Sequence, residues 1–327
     1  MDLMPSVKDY IEAEAARVPV ARLEAAAGEI SARYRGERVP GKRLVSSAVD
    51  VLAYAAVRMP ATYAAVSSAL RLSGLSGVRT LLDVGAGTGA ASIAAGELFD
   101  LSAIFCLERE GEMRKLGEKL LSLSDCGART EWRPFELGSS RLTLRADLVT
   151  AAYLLNELPE RELDDAVEGL WSAADKALLL VEPGTPDGFR TLMRARRRLI
   201  RLGACVAAPC THAKECPLLR DDWCAFSCRV SRSRLHMRLK GGEVPYEDEK
   251  FCFLAVTRAP LPMAESRVLR HPQIAPGRVQ LTLCTPEGIV NRSVSKKDGA
   301  LFKQARKTSA GDALGLCGGE AADHSED

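Results

Sequence analysis

The hydrophobic positions at the start of the chain recur every three or four residues, the spacing of one face of a helix. This pattern runs through 20–35 and again through 45–70, and it predicts amphipathic helices in both segments. Pro60 lies within the second segment and is expected to break or kink it. The Gly and Pro residues of 36–44 predict a loop between them. Residues 6–72 are therefore predicted to form an Ala-rich helical unit.

From residue 78 onward the pattern changes to short apolar runs that alternate with helical segments. Helical spacing is found at 90–99, 110–123 and 160–174. The apolar runs predict seven strands, at 79–85, 102–108, 128–132, 146–155, 176–182, 250–258 and 278–285. Alternating strands and helices are typical of an α/β protein with a parallel sheet covered on both faces. The last two strands are joined by a Pro-containing loop, so we expect them to form an antiparallel pair that closes the sheet.

These patterns divide the chain into five segments. A helical N-terminal unit precedes a doubly wound core, a cysteine- and arginine-rich insertion interrupts that core before the last two strands, and a Gly-rich, acidic tail follows. We expect the tail to be disordered. The predicted boundaries are 1–72, 73–203, 204–245, 246–312 and 313–327.

Composition narrows the class of protein. Hydrophobic residues make up 46% and charged residues 27%, which excludes global disorder. No apolar run reaches the length of a membrane span. The N-terminus carries acids such as Asp9 and Glu12, whereas secretory signals begin with basic residues and transit peptides avoid acids. We therefore expect a bacterial cytoplasmic protein without a membrane partner, in which ten cysteines favour metal binding over disulfides.

A glycine loop follows the first predicted strand. The stretch LLDVGAGTGAAS has the spacing G-x-G-x-G between a strand and a helix, where backbone amides at a helix N-terminus are open to a ligand. It resembles the S-adenosylmethionine (SAM) site of class I methyltransferases, in which the acid that ends the next strand holds the ribose. A tight turn without a ligand is the alternative. The predicted cofactor residues are Asp83, Gly85, Gly87, Gly89 and Glu108.

Catalytic residues are harder to assign. Enzymes that methylate base amino groups carry an Asn/Asp-Pro-Pro-aromatic segment after the fourth strand, and this chain has NELPE at 156–160 instead. A Pro-Cys or Thr-Cys pair for covalent attack on a pyrimidine is also missing there. Asn156, Glu157 and Glu182 are the candidates for orienting an acceptor. The same residues suit helix capping or indirect support of the cofactor equally well.

Three cysteines are grouped in a polar stretch of the predicted insertion. Cys210, Cys216 and Cys224 lie close together in sequence, and a fourth thiolate or imidazole would complete a metal site. The competing residues are Cys205, His212, Cys228 and Cys284. Four such ligands suit Zn²⁺ or an iron–sulfur cluster, and the spacing leaves the metal open. Ten unliganded thiols are the alternative.

A resemblance to one family narrows these alternatives. The string at 208–256, the glycine loop, RMPATYAAV (58–66) and VEPGTPDGFRTL (181–192) together resemble the methyltransferase-like assembly factors of the small ribosomal subunit, known from mitochondria and with bacterial relatives. The resemblance implies a SAM-type fold and a [4Fe–4S] cluster, with Zn as the alternative metal. It carries over to the ligands Cys210, Cys216, Cys224 and Cys284.

Arginines on both sides of the cysteine stretch point to an anionic partner. Residues 190–240 contain 13 Lys and Arg but 3 Asp and Glu, and the planar guanidinium group suits phosphate. A solvated charged face is the alternative. The residues predicted to bind ribosomal RNA (rRNA) are Arg194, Arg197, Arg198, Arg201, Arg229, Arg232, Arg234, Arg238 and Lys240.

Two functions agree with this sequence. The first is a class I SAM-dependent methyltransferase that acts on the small ribosomal subunit during assembly or translation. The second is an assembly factor that binds SAM and a structural metal without turnover. Both predict the small ribosomal subunit and its rRNA as partners, and a monomer off the ribosome.

Overall fold

Four helices form the N-terminal part of the chain. The computed structural model describes residues 2–34, 45, 47–124, 128–138, 141–218 and 222–315, so the loop predicted at 36–44 lies outside the described residues. Ser47 begins the third helix with a capping box, in which its hydroxyl accepts from the Asp50 amide and satisfies an otherwise free N–H. The helices are α1 (Pro5–Ala15), α2 (Val20–Tyr34), α3 (Ala48–Val57) and α4 (Met59–Ser73).

The main sheet confirms the predicted α/β class. Within the described residues it contains eight strands in the order β3-β2-β1-β4-β5-β8-β6, and β7 also pairs with β8. The strands β1 to β5 run parallel, whereas β8 runs antiparallel to its neighbours. Their bounds are β1 Thr80–Val84, β2 Ala103–Leu107, β3 Arg129–Arg133, β4 Ala146–Ala152, β5 Ala174–Pro183, β6 Cys205–Ala208, β7 Phe226–Ser231 and β8 Tyr246–Thr257.

Helices cover both faces of this sheet. The side chains of α1 to α4 share one hydrophobic core with the first face, so the N-terminal helices are built into the fold. A second core fills the opposite face. The alternation of strand residues between the two cores follows from the period of two along a strand. The remaining helices are α5 (Ala90–Leu98), α6 (Gly111–Ser122), α7 (Leu163–Ala173), α8 (Pro186–Arg201), α9 (Arg234–Lys240) and α10 (Gly299–Ala305).

The prediction that 278–285 closes the main sheet is wrong. That segment belongs to a second, four-stranded antiparallel sheet, and the place beside β8 is taken by β6, where Val206 pairs with Val256. At four residues, β6 is shorter than any predicted strand and is followed by Pro209, and neither β6 nor β7 is among the predicted strands. The strands of the second sheet are β9 (Arg267–Val268), β10 (Gln273–Ala275), β11 (Arg278–Thr285) and β12 (Gly288–Ser295).

The second sheet has a small core of its own, built by alternate residues of its strands and by Phe302 of α10. The predicted disordered tail begins too early, because Leu314 is buried and its amide donates to the Ser266 carbonyl. The rest of the tail, from residue 316, lies outside the described residues. No helix in the described part of the chain has the length and hydropathy needed to cross a bilayer.

Candidate cofactor and thiol sites

The glycine loop joins β1 to α5 at the carboxyl edge of the sheet, where open α/β sheets bind their ligands. Gly85, Gly87 and Gly89 all have positive φ, at 73°, 56° and 84°, which favours glycine because a side chain would strain the backbone. A Cβ at Gly87 would meet only the Tyr54 hydroxyl, at 3.9 Å. The space above this loop is therefore open to a ligand.

Two acidic side chains hold the glycine loop in place through hydrogen bonds. The Asp83 carboxylate has 1% of its surface exposed and accepts from Ser92 Oγ at 2.7 Å and Thr150 Oγ1 at 2.9 Å. Burial raises the pKa of Asp83 to about 6, although both hydroxyls oppose the shift. The Glu108 carboxylate accepts from the amide of Gly87 at 2.9 Å, and burial raises its pKa as well. Both acids thus fix the loop geometry.

The N-terminal helices reach the same edge. Tyr54 and Arg58 lie four residues apart on α3 and at its end, and hence on one side of the helix. Tyr54 approaches the glycine loop, and a terminal nitrogen of Arg58 lies 3.5 Å from Glu249 Oε1 of β8. The helical unit therefore contributes side chains to the candidate cofactor site.

Tyr153, directly after β4, is a site residue that sequence reasoning missed. Among the described residues it is the one non-glycine residue with positive φ, at 58°, and a bulky side chain in this region marks strain. Its buried phenol donates to Glu249 Oε1 at 2.9 Å, and the Arg58 guanidinium carbon lies 6.0 Å from its ring centre. Burial, followed by the charge of Glu249, raises the pKa of Tyr153 well above its ordinary value. Such strain gives no signal in the sequence.

Two of the three predicted catalytic candidates, Asn156 and Glu182, form hydrogen bonds within the fold. Asn156 and Glu157 belong to a 3₁₀ turn, in which Asn156 Oδ1 accepts from Thr191 of α8 at 2.8 Å. Glu157 is exposed. Glu182 is fully buried and accepts from the Leu155 amide at 2.8 Å. The contacts of Asn156 and Glu182 agree with the structural alternative that the sequence left open.

The fold brings the four predicted ligand cysteines to one cavity. Cys210 follows β6, Cys284 lies on β11 of the second sheet, and the other two lie on the loop between β6 and β7. Cys252 of β8 lines the same cavity, which apolar side chains otherwise enclose. Burial raises the pKa of Cys210, Cys216 and Cys224, and the neighbouring thiols add to the shift. We call this cavity, with Cys210, Cys216, Cys224, Cys252 and Cys284, the thiol cavity.

The other residues that compete for the place of the fourth ligand are not among those that line the thiol cavity. Cys205 Sγ lies 3.9 Å from the Arg258 carbonyl oxygen, and Cys228 Sγ lies 3.9 Å from the Glu249 carbonyl oxygen. His212 is buried, its main-chain carbonyl accepts from Arg196, and its imidazole Nδ1 has no hydrogen-bond partner among the described residues. As placed, no three Cys, His, Asp or Glu side chains in the described ranges are close enough to share one metal ion.

Two buried arginines lie close to the ligand cysteines. Arg196 donates to the main-chain carbonyl of His212, two residues after Cys210, and interacts electrostatically with Cys210 and Cys216. Arg267 interacts electrostatically with Cys224, Cys210 and Cys284. Because cations lower the cost of ionising a thiol, this donor set suits thiolate ligation. Sequence reasoning missed both arginines.

Most of the basic residues predicted to bind RNA form ion pairs with acids that the fold places beside them. Arg194 contacts Asp164 at 2.9 Å and Arg198 contacts Glu168 on the neighbouring α7. The other pairs are Arg229–Asp248, Arg232–Glu247, Lys240–Glu247 and Arg238–Glu24. The expectation that few acids are near these residues is therefore wrong. Arg197, Arg201 and Arg234 are exposed and form no ion pair among the described residues, although Arg201 interacts electrostatically with Asp164.

The two arginine segments also pack on opposite faces of the main sheet. Leu192 and Leu199 of α8 belong to one core, whereas Leu239 of α9 belongs to the other. The two segments that flank the cysteine stretch in sequence therefore lie on different sides of the main sheet. Arg197 and Arg201, four residues apart on α8, form an exposed basic pair without an ion pair among the described residues.

Solved structures that are similar to this chain include two methyltransferases. One is the magnesium protoporphyrin IX methyltransferase of Synechocystis PCC 6803 with bound S-adenosylhomocysteine (SAH), at 16% identity and a TM-score of 0.40, covering 70% of this chain and 94% of that one. Another is the precorrin-6y C5,15-methyltransferase of Geobacter metallireducens, at 16% identity and a TM-score of 0.39, covering 59% and 86%. Our assignment of the fold depends on the strand order alone.

The prediction of a bacterial cytoplasmic protein is contradicted by a curated relative. The mitochondrial ribosome assembly protein METTL17 of Homo sapiens is 29% identical over 295 residues, which cover 80% of this chain and 62% of that protein. The prediction depended on acids near the N-terminus, but Asp2 accepts from Ser231 and belongs to the fold. Acids in such a position say nothing about the compartment.

The family itself is shown by a match over the greater part of the chain. Residues 48–315 match the family described as mitochondrial small ribosomal subunit Rsm22. That range contains the glycine loop, the four cysteines and α8. The chain therefore belongs to the Rsm22 family of methyltransferase-like proteins of the small ribosomal subunit.

Proposed function

We propose that this protein is an assembly factor of the small ribosomal subunit that binds SAM at the glycine loop and holds a [4Fe–4S] cluster in the thiol cavity. The observation that carries the proposal is the convergence of Cys210, Cys216, Cys224 and Cys284 on one cavity. These residues come from two separate regions of the chain, and two buried cations border them. Binding a cluster requires the thiols to move closer together, because no three potential ligands among the described residues are close enough to share a metal ion.

Cluster binding is tested by metal analysis after anaerobic purification. We expect about four iron and four sulfide per chain, because four thiolates are the common ligand set of such clusters. Serine at any of the four ligands should remove most of the iron. Cys252→Ser is the matched control, since Cys252 lines the same cavity and should leave the iron content unchanged. One zinc without iron would contradict the cluster and keep the ligand set.

SAM binding is supported by the loop and by its acids. The open space above Gly87 and the Glu108 carboxylate beside it fit a nucleoside whose ribose hydroxyls donate to that carboxylate. Asp83 holds the loop through Ser92 and Thr150. Glu108→Gln should weaken SAM binding in calorimetry, because the amide loses the charge that strengthens these hydrogen bonds. Equal affinity in both proteins would contradict this ribose site.

Methyl transfer is a second candidate function, and Tyr153 favours it. SAM supplies a methyl group, and an acceptor would have to lie at the carboxyl end of β4, where Tyr153 is held in a strained conformation by Glu249. The test is transfer of label from SAM to immature small subunits by the wild type and by Tyr153→Phe. Loss of transfer with unchanged SAM affinity supports a role at the acceptor. If the wild type transfers no label, methyl transfer is contradicted and the proposal of an assembly factor without turnover remains.

Binding to rRNA is the third part of the proposal and is assigned to Arg197 and Arg201 of α8. Both side chains are exposed and form no ion pair among the described residues, which supports contact with phosphate. Alanine at both should weaken binding to transcribed small-subunit rRNA and lower the slope of log affinity against log salt by about 1.4 to 1.8. Alanine at Arg194 and Arg198, which are paired with acids, should reduce the slope less. Equal slopes in both double variants would contradict the assignment.

A further inference from the structure

We propose that Arg196 and Arg267 are the counter-charges of the cluster in the thiol cavity and raise its reduction potential. The inference rests on the proposed function, because it concerns how the protein stabilises the charge of the group that the four thiolates would hold. It assigns a role to two residues outside the ligand set. It also predicts a property that a purely structural arginine would not affect.

Arg196 is buried among apolar residues without a carboxylate. Only 2% of its surface is exposed, although it lies within the arginine-rich α8. One of its terminal nitrogens donates to the His212 carbonyl at 2.7 Å. Its Nε atom is buried and has no hydrogen-bond partner in the described structure. The side chain thus brings a positive charge and a donor without a partner next to the segment that carries Cys210.

Arg267, on β9 of the second sheet, is in a similar position. It has 5% of its surface exposed and donates to carbonyl oxygens of Pro209 and Gly311, both at 2.9 Å. A third carbonyl, of Leu72, lies at 3.4 Å. These acceptors are neutral, and no carboxylate lies within salt-bridge distance of either guanidinium among the described residues, although Asp312 interacts electrostatically with Arg267. Hydrogen bonds to carbonyls orient the cation without neutralising it.

A buried charge without an opposite charge costs several kcal/mol, so two at one cavity need an explanation. Four thiolates outweigh the double positive charge of an oxidised [4Fe–4S] core, and the site as a whole is therefore an anion. One-electron reduction of the core adds another negative charge. A nearby fixed cation stabilises the reduced state more than the oxidised one, because the interaction grows with the charge. The arginines should therefore raise the reduction potential.

The same charges separate the four ligands from the fifth cysteine of the cavity. Each of the four interacts electrostatically with at least one of the two arginines. Cys252 instead pairs in register with Glu182 on β5 and experiences its negative charge. An anionic cluster is repelled from the side of the cavity where Glu182 lies and attracted to the side where the arginines lie. The charge distribution thus favours the ligand set that the family resemblance implies.

The test is a reductive titration of the anaerobically purified full chain with dithionite, followed by electron paramagnetic resonance of the reduced cluster. Arg196→Gln removes the charge and retains an amide that can donate to the His212 carbonyl. We expect it to keep the iron and to shift the midpoint potential downward. Arg196→Lys retains the charge and should lie closer to the wild type. Arg190→Gln, on the exposed part of the same helix, is the matched control and should leave the potential unchanged.

The outcomes separate this inference from the proposed function. An Arg196→Gln protein with full iron content and an unchanged potential overturns the role of Arg196 as a counter-charge and leaves the cluster standing. A wild-type protein without iron and sulfide overturns both. Equal shifts in the Gln and Lys variants indicate that packing, and not charge, is what Arg196 supplies, and this also overturns the inference. Arg267→Gln gives an independent reading if Arg196→Gln fails to fold.

Discussion

The buried Asp83 carboxylate predicts an unusual dependence of stability on pH. This side chain lies near the end of β1 and ties the strand to α5 through Ser92 and to β4 through Thr150. Burial raises its pKa from 3.8 to about 6. Asp83→Asn removes the ionisation, and the asparagine oxygen is still able to accept one of the two hydrogen bonds. The variant therefore isolates the effect of the charge.

The direction of the effect follows from the two pKa values of Asp83. Between pH 4 and 6 the folded protein binds the proton of this group more tightly than the unfolded chain does, so the free energy of unfolding falls as the pH rises through this window. Above pH 6 the group is ionised in both states, and its contribution becomes constant. A shift of about two pKa units corresponds to about 3 kcal/mol. Relative to Asp83→Asn, the wild type should lose roughly this amount between pH 4 and pH 7.

The assay is urea unfolding of both proteins at several pH values, and the quantity of interest is the difference between them. Taking the difference cancels the titration of the other carboxylates. Asp164→Asn is a control of opposite sign, since the hydrogen bond from Arg194 lowers the pKa of Asp164. Its contribution to stability should be lost as the pH falls, and it should be small because the pair is exposed. A difference between wild type and Asp83→Asn that stays constant with pH would refute the reasoning.

Two glycines give further predictions. Gly87→Val should abolish SAM binding in calorimetry, because the side chain fills the open space above the loop. The control is Gly74→Val, which has a similar positive φ and no neighbour within 4 Å, and which should keep the affinity for SAM. Equal affinities of the two variants would contradict the site. Gly117→Ala should destabilise the fold by about 1–3 kcal/mol, because its Cβ would lie 2.3 Å from the Trp132 ring. The control is Gly169→Ala on α7, where the added Cβ has no neighbour within 4 Å, and it should stabilise the fold by about 0.5–1 kcal/mol. Equal urea midpoints for these two variants would contradict the packing argument.

The parts of the fold that depend on local periodicity were predictable from the sequence. The glycine loop lies between a buried strand and a helix, as its flanking residues predict, and Glu108 ends the next strand beside it. The edge of the sheet was not predictable in the same way. A four-residue strand such as β6 has too few positions to show a period, whereas β11 has the alternation of a strand but pairs in another sheet. Periodicity identifies a strand and leaves its partner undetermined.

The sequence also leaves the partners of the charged residues undetermined. A count along the sequence finds few acids near the arginines of α8, yet α7 packs beside α8 and supplies Asp164 and Glu168. Tertiary contacts therefore pair charges that the sequence separates by thirty residues. The backbone strain at Tyr153 is likewise invisible, because tertiary contacts impose it on a residue type that does not favour positive φ.

The buried position of Arg196 could have been predicted from the sequence. It lies four positions after Leu192 and three before Leu199, on the face of α8 that packs against the sheet, and an arginine on an apolar face is either paired or placed for a ligand. Its neighbours in the run, Arg197 and Arg201, lie on the exposed side of the helix. The family resemblance implies the ligand cysteines, and the helical position of Arg196 indicates which arginine of this run is buried. Helical phase therefore separates the buried arginine from the exposed ones that the proposed function assigns to phosphate.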